Sequence, residues 1–369
     1  MPNRHNHSLL RAIGPVMCLS SLALMSQPSP IVATTWLDTV PTTPAFKVAA
    51  NQPAWAQQRA GIRQQVQQLM GSQPPRPAAP TVTTLSREDR GDYVVEHFTF
   101  DNQAGATVPG YLLLPKNATG KSPALLYCHW HGGQYDIGKE ELFRTNALPQ
   151  PPGPELVKRG FVVLAIDAYC FGERNGMGPG GPGEKGGTGE LTASKFNLWL
   201  GRSLWGMIVR DDLMALDYLC TRPEVDAQRI GVTGISMGAT RTWWLMALDD
   251  RPKTGVAVAC LTRYQDLIVT RNLKAHGIYY FVPGMLNHFD TEAIIACIAP
   301  RAMLFMTGDQ DAGSPVEGVE KIGTAVMPVY QLYGAGKAFE NRIYPGIGHA
   351  YTPEMWQQTL NWLDRQLRD

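Results

Sequence analysis

The sequence predicts an α/β protein whose sheet is mostly parallel, with helices on both faces. Three observations predict it. From residue 124 to residue 344, short apolar runs alternate with segments of helical spacing. Ahead of them stand two alternating runs, 92–100 and 108–115, joined by Asp101-Asn102-Gln103-Ala104-Gly105 as an antiparallel pair. Finally, one serine lies where a strand-like run passes straight into a helix-like run.

The N-terminus reads as an export signal over residues 1–33. Arg4 and Arg11 precede an apolar run from 12 to 25 that is too short and interrupted to span a membrane, and Ile31-Val32-Ala33 supplies small residues for cleavage. Residues 34–80 form a Pro/Thr/Ala-rich linker and a short helix at 55–70, stopped by the prolines that follow. Residues 81–369 then make one catalytic domain, with β-like runs at 124–128, 161–167, 229–235, 255–261, 302–307 and 342–344. Helical spacing is clearest at 204–220, 239–248, 291–298, 316–333 and 353–367.

Composition narrows the function. Hydrophobic residues make up 44% and charged residues 18%, as in an ordinary globular chain. The net charge of +1 argues against a nucleic-acid partner, and no stable membrane insertion is expected once the signal is removed. Beyond the signal the cysteines are Cys128, Cys170, Cys220, Cys260 and Cys297, an odd number without close spacing, so no disulfide is required.

The chemistry centres on Gly234-Ile235-Ser236-Met237-Gly238, a G-x-S-x-G pattern between the run 229–235 and the helix-like segment after it. A sharp strand-to-helix turn strains the serine, and small flanking residues avoid collision across the turn. The serine hydroxyl is then exposed at a helix N-terminus. A serine nucleophile needs a base, an acid that orients the base, and an oxyanion hole. The base is expected at His349, on the Gly-rich loop after the last strand. For the acid, Asp311 is preferred to Asp309 because it stands further past its strand, while Asp309 suits a loop-capping turn. One oxyanion donor is expected at the Met237 amide. The other falls in His129-Trp130-His131-Gly132-Gly133-Gln134, at Gly133 with Gln134 as alternative. His129-x-His131 lacks a third ligand at suitable spacing, so no metal is assigned. Gly178 to Gly183 matches G-x-G-x-x-G but has no adjoining strand or helix, so it is no nucleotide site. Substrate contacts are expected from Trp130, Arg174, Arg241 and Tyr264. The last lies in the long segment 262–289, which is rich in aromatic groups and is read as a roof over the pocket.

From about residue 93 to 367 the chain resembles the α/β-hydrolase superfamily, in particular its dienelactone-hydrolase-like and acetylxylan-esterase-like branch. The resemblance rests on His131-Gly132-Gly133, the run Asp167 to Arg174, Gly234 to Gly238, Gly308 to Asp311 and Gly348-His349. It implies the α/β-hydrolase fold, an eight-stranded sheet, and Ser236, Asp311 and His349 as catalytic triad. Dienelactone hydrolases usually carry cysteine at the nucleophile position, and serine here favours an esterase. The expectation is a secreted or periplasmic serine carboxylic-ester hydrolase without cofactor, acting through an acyl-enzyme on a small or carbohydrate-linked ester. The alternatives are a serine peptidase of prolyl-oligopeptidase type, disfavoured by the short N-terminal region, and a non-catalytic binding protein on a hydrolase fold.

Overall fold

The structure is a computed structural model that describes residues 43–368. The export signal expected at 1–33 lies outside the described residues, as does the start of the linker. The strands are β1 (Val82–Asp89), β2 (Tyr93–Asp101), β3 (Thr107–Pro115), β4 (Ser122–Cys128), β5 (Val162–Ile166), β6 (Val225–Ile235), β7 (Thr254–Val258), β8 (Ala302–Gly308) and β9 (Phe339–Tyr344). They form one sheet in the order β1-β2-β3-β5-β4-β6-β7-β8-β9. The first three strands and β5 pair antiparallel, and every pair from β5 through β4 to β9 is parallel.

The sheet therefore has one strand more than the eight expected. The addition, β1, buries almost nothing: its residues after Val82 are all exposed. A strand whose two faces are both wet has no alternating apolar signal to read.

The helices are α1 (Gln52–Met70), α2 (Pro152–Lys158), α3 (Gly186–Trp199), α4 (Leu204–Thr221), α5 (Met237–Leu248), α6 (Tyr264–Val269), α7 (Thr291–Ala296), α8 (Val316–Leu332) and α9 (Pro353–Leu367). Side chains of the central strands alternate between two buried clusters. On β4, Ala124, Leu126 and Cys128 join α1, α4, α5, α7 and α8. Leu125 and Tyr127 point the other way, toward α2 and α9. On α9, Met355, Trp356, Thr359, Leu360, Leu363 and Leu367 are buried, the spacing of a helix with one apolar face.

The segment before the sheet is docked rather than trailing, and α1 belongs to the same compact unit. Asn51 caps α1 by accepting the Ala54 amide through Oδ1 at 3.0 Å. Trp55 is fully buried, and Phe46 meets it edge-on with ring centroids 6.1 Å apart. Arg63 donates to the Ala247 carbonyl at 2.6 Å, and both Arg59 and Arg63 pair with Asp250. Trp55→Ala is expected to cost about 3–5 kcal/mol of unfolding free energy, as for other fully buried aromatic truncations. Chemical denaturation of the purified chain measures it; a loss below about 1 kcal/mol would make α1 peripheral to the core.

Candidate active site

β6 turns directly into α5, and Ser236 is the residue at the turn. Its φ of +57° and ψ of −119° lie where side chains other than glycine are strained. Both neighbouring glycines are required by space. A Cβ on Gly234 would lie 2.3 Å from the carbonyl oxygen of Cys128, and one on Gly238 would lie 2.0 Å from the same atom. The Ser236 amide donates to the Val258 carbonyl at 2.9 Å, which ties the turn to β7. Met237 is the first residue of α5, so its N–H has no partner within the helix.

Two loops at the ends of β8 and β9 complete the arrangement. Gly308 carries no side chain where the second loop crosses it: a Cβ there would lie 2.1 Å from the Ile347 carbonyl oxygen. The Gln310 amide donates to that carbonyl at 2.9 Å, and the Gly346 amide donates to Asp309 Oδ1 at 2.8 Å. Held this way, His349 accepts from the Ser236 hydroxyl through Nε2 at 2.9 Å and donates from Nδ1 to Asp311 Oδ2 at 2.7 Å. Asp311 is 4% exposed, and its Oδ1 accepts the Gly313 amide at 2.9 Å. Of the two aspartates considered, Asp311 meets the imidazole and Asp309 staples the two loops. Such a line can move a proton off the serine hydroxyl and hold the resulting imidazolium.

These groups open into a pocket of about 460 Å3 that is also lined by His131, Gly132, His276 and Tyr279. His131 donates from Nε2 to Glu190 on α3 at 2.9 Å and stacks on Tyr279 with centroids 4.9 Å apart. His276 donates from Nε2 to the Gly313 carbonyl at 2.8 Å. Burial holds its imidazole below the usual histidine range, so it is neutral near pH 7.

The Abhydrolase family model matches residues 25–316, most of the chain. The chain belongs to the Abhydrolase family. A Bacillus subtilis (strain 168) family relative named "Putative hydrolase YtaP" is 37% identical over 311 residues, covering 84% of this chain and 100% of that one. Among solved structures, a Bacteroides fragilis NCTC 9343 protein described as a "putative acetyl xylan esterase" has a TM-score of 0.71 at 19% identity, covering 92% of this chain and 94% of that chain. A glucuronoyl esterase from Solibacter usitatus has a TM-score of 0.65 at 18% identity, covering 88% and 99%. At these identities the structural likeness is one of fold, the α/β-hydrolase fold.

Several side chains named from the sequence lie elsewhere in this Abhydrolase-family chain. Arg241 is 1% exposed and bidentate on Asp212, at 2.9 and 2.6 Å. Arg174 is 4% exposed and pairs with the neighbouring Asp211 at 2.9 Å. Both arginines are thus neutralised inside the core by adjacent aspartates of α4, away from the pocket. Tyr264 lines a different, apolar cavity. Trp130 packs with the cluster under α9 and offers its backbone amide to Glu141 at 2.9 Å. The Gly133 amide is turned back onto His131 Nδ1 at 3.0 Å, and the Gln134 amide onto the His131 carbonyl at 2.9 Å. Gly132 faces the pocket instead, and its amide makes no hydrogen bond among the described residues. No motif marks His276 or Tyr279; only their place in the long aromatic segment 262–289 hints at them. His129 bridges β4 to β5 by accepting the Ala168 amide at 3.0 Å, so it and His131 serve different partners.

Glu141 anchors the same loop from below. It is fully buried, accepting from the Tyr127 hydroxyl at 2.5 Å and from the Trp130 amide. Burial pushes its carboxyl from 4.5 up to about 7, outweighing those two bonds. The folded chain therefore retains a proton that the unfolded chain releases above pH 4.5. This contribution to stability is full below that pH and is lost as pH rises through 7. Comparing wild type with Glu141→Gln by urea unfolding at pH 5 and pH 8 should show wild type losing on the order of 3 kcal/mol more over that rise. Parallel pH profiles would refute the assignment.

Proposed function

We propose that this chain is a serine carboxylic-ester hydrolase acting through an acyl-enzyme. The observation that carries the reading is the unbroken line from Ser236 Oγ through His349 to Asp311, starting at a strained turn beside a helix N-terminus. Ser236 Oγ attacks the ester carbonyl carbon while His349 Nε2 takes its proton. The carbonyl oxygen, now negative, accepts from the amides of Met237 and Gly132; this assigns Gly132 where the sequence suggested Gly133. As the bond to the alcohol breaks, the proton on Nε2 passes to the departing oxygen. Water then attacks the acyl-serine, again giving its proton to His349, and Ser236 leaves protonated. Asp311 keeps Nδ1–H in place and stabilises the imidazolium throughout.

A small or carbohydrate-linked ester is the proposed substrate. Its support is the fold likeness to the protein described as a "putative acetyl xylan esterase" and to a glucuronoyl esterase, together with a pocket of about 460 Å3 that mixes polar groups with the stacked His131 and Tyr279 rings. The export signal read at 1–33 supports a secreted or periplasmic site of action. Among the described residues no helix is long and apolar enough to cross a membrane.

Hydrolysis of nitrophenyl esters from acetate to octanoate, and of an acetylated xylo-oligosaccharide, tests the reading. Ser236→Ala is expected to lower kcat roughly 10⁴-fold or more, and Asp311→Asn about 10³-fold, with KM little changed. Asp309→Asn should lose no more than about tenfold, since it touches the loops and not the imidazole. Wild type and Ser236→Ala hydrolysing every ester at the same rate would sink the proposal.

A further inference from the structure

Beside the pocket of Ser236 lies a second cavity of about 390 Å3, which no step above uses. Its walls are mostly apolar, formed by Leu267, Ile268, Val282, Met285 and Leu286 around the ring of Tyr280, with Asn287 and Tyr264 as the other polar side chains. At the rim Leu273 and Phe281 are 43% and 40% exposed, so the cavity opens to solvent through apolar groups. The two cavities share one partition, the segment 273–282. Ala275, His276, Gly277 and Tyr279 face Ser236, while Leu273, Tyr280 and Phe281 face the apolar side.

The partition is continuous with the acid loop. Tyr280 lies flat against His276, with centroids 4.1 Å apart and planes 11° apart. His276 donates to the Gly313 carbonyl at 2.8 Å, the Gly313 amide donates to Asp311 Oδ1 at 2.9 Å, and Asp311 Oδ2 accepts from His349 at 2.7 Å. Thr262 Oγ1 also donates to the Gly313 carbonyl, at 2.7 Å, so that carbonyl takes one bond from the partition and one from the chain just before α6.

We propose that this cavity binds a small apolar molecule of about the size of a fused pair of aromatic rings, and that Tyr280 and His276 carry its occupancy to Asp311. Volume and wall chemistry suit such a ligand, and a ring there would stack on or abut Tyr280. A ligand that braces Tyr280 keeps His276 on Gly313, and so keeps the carboxylate aligned with the imidazole. His276 is thus a positioning residue, acting through Gly313 and not on the ester. The kinetic half of the proposal rests on the ester-hydrolase reading; the binding half does not.

Indole serves as the probe. Calorimetric titration of the full chain should give saturable one-to-one binding below roughly 1 mM, abolished in Ile268→Trp, which fills the cavity from its partly exposed wall. Thermal melting checks that this variant folds, and Leu273→Trp at the rim replaces it if it does not. In nitrophenyl acetate hydrolysis, indole should raise kcat at least about twofold with KM unchanged. It should add nothing in Ile268→Trp, whose own side chain already occupies the cavity, nor in His276→Phe, which still binds indole and starts from a lower kcat. Absence of saturable binding would overturn the proposal, as would binding that survives both tryptophan variants. A rise in KM would also overturn it, because the probe would then be competing in the pocket of Ser236. If wild type hydrolyses no ester, the ester reading fails, and calorimetry still decides the cavity.

Discussion

The carbonyl oxygen of Cys128 leaves no room for a side-chain atom at either end of the turn that carries Ser236. That single close approach, of the end of β4 to the turn between β6 and α5, organises the site. It sets the serine at the sheet's C-terminal edge and forces its backbone into an otherwise unfavourable conformation. It also fixes where the loop beginning at His129 starts, because Cys128 is the last residue of β4. The serine and the loop that brings Gly132 to its pocket therefore meet at one contact.

The other half of the site depends on parallel pairing. Gly308 pairs with Tyr344 in register, so β8 and β9 end level with one another. The loops leaving them cross at once, with glycine at the crossing point. Parallel strands deliver all their C-terminal ends to one edge of the sheet, which is why residues distant in sequence meet there without long excursions. Rigid strands thus set the positions, and short loop hydrogen bonds set the orientations.

Much of this could be read from residues alone, and the reason differs by element. Fully buried strands such as β4, β5 and β8 are uninterrupted apolar runs. The amphipathic α9 advertises its one apolar face. The serine turn is legible because its glycines answer a need for space, and the His349 loop because Gly346, at φ +72°, takes a backbone conformation that favours glycine. Arg174 and Arg241 misled because a buried arginine and a substrate-binding one look alike until the partner is known; theirs, Asp211 and Asp212, lie 37 and 29 residues away along the chain. Gly133 misled because the amide's direction depends on the His131 ring turning back to meet it. His276 left no local trace, since its role comes from a carbonyl 37 residues further on.

The polar edge strand has a consequence of its own. Without β1, the outer edge of β2 would present unpaired backbone groups between Val95, Phe98 and Phe100, all buried against the core. Such an edge is a template for a strand from another chain. β1 occupies it and ends in Ser86-Arg87-Glu88-Asp89, all exposed and mostly charged. Its part in the molecule is colloidal: it adds little to the core, yet it denies other chains the outer edge of β2.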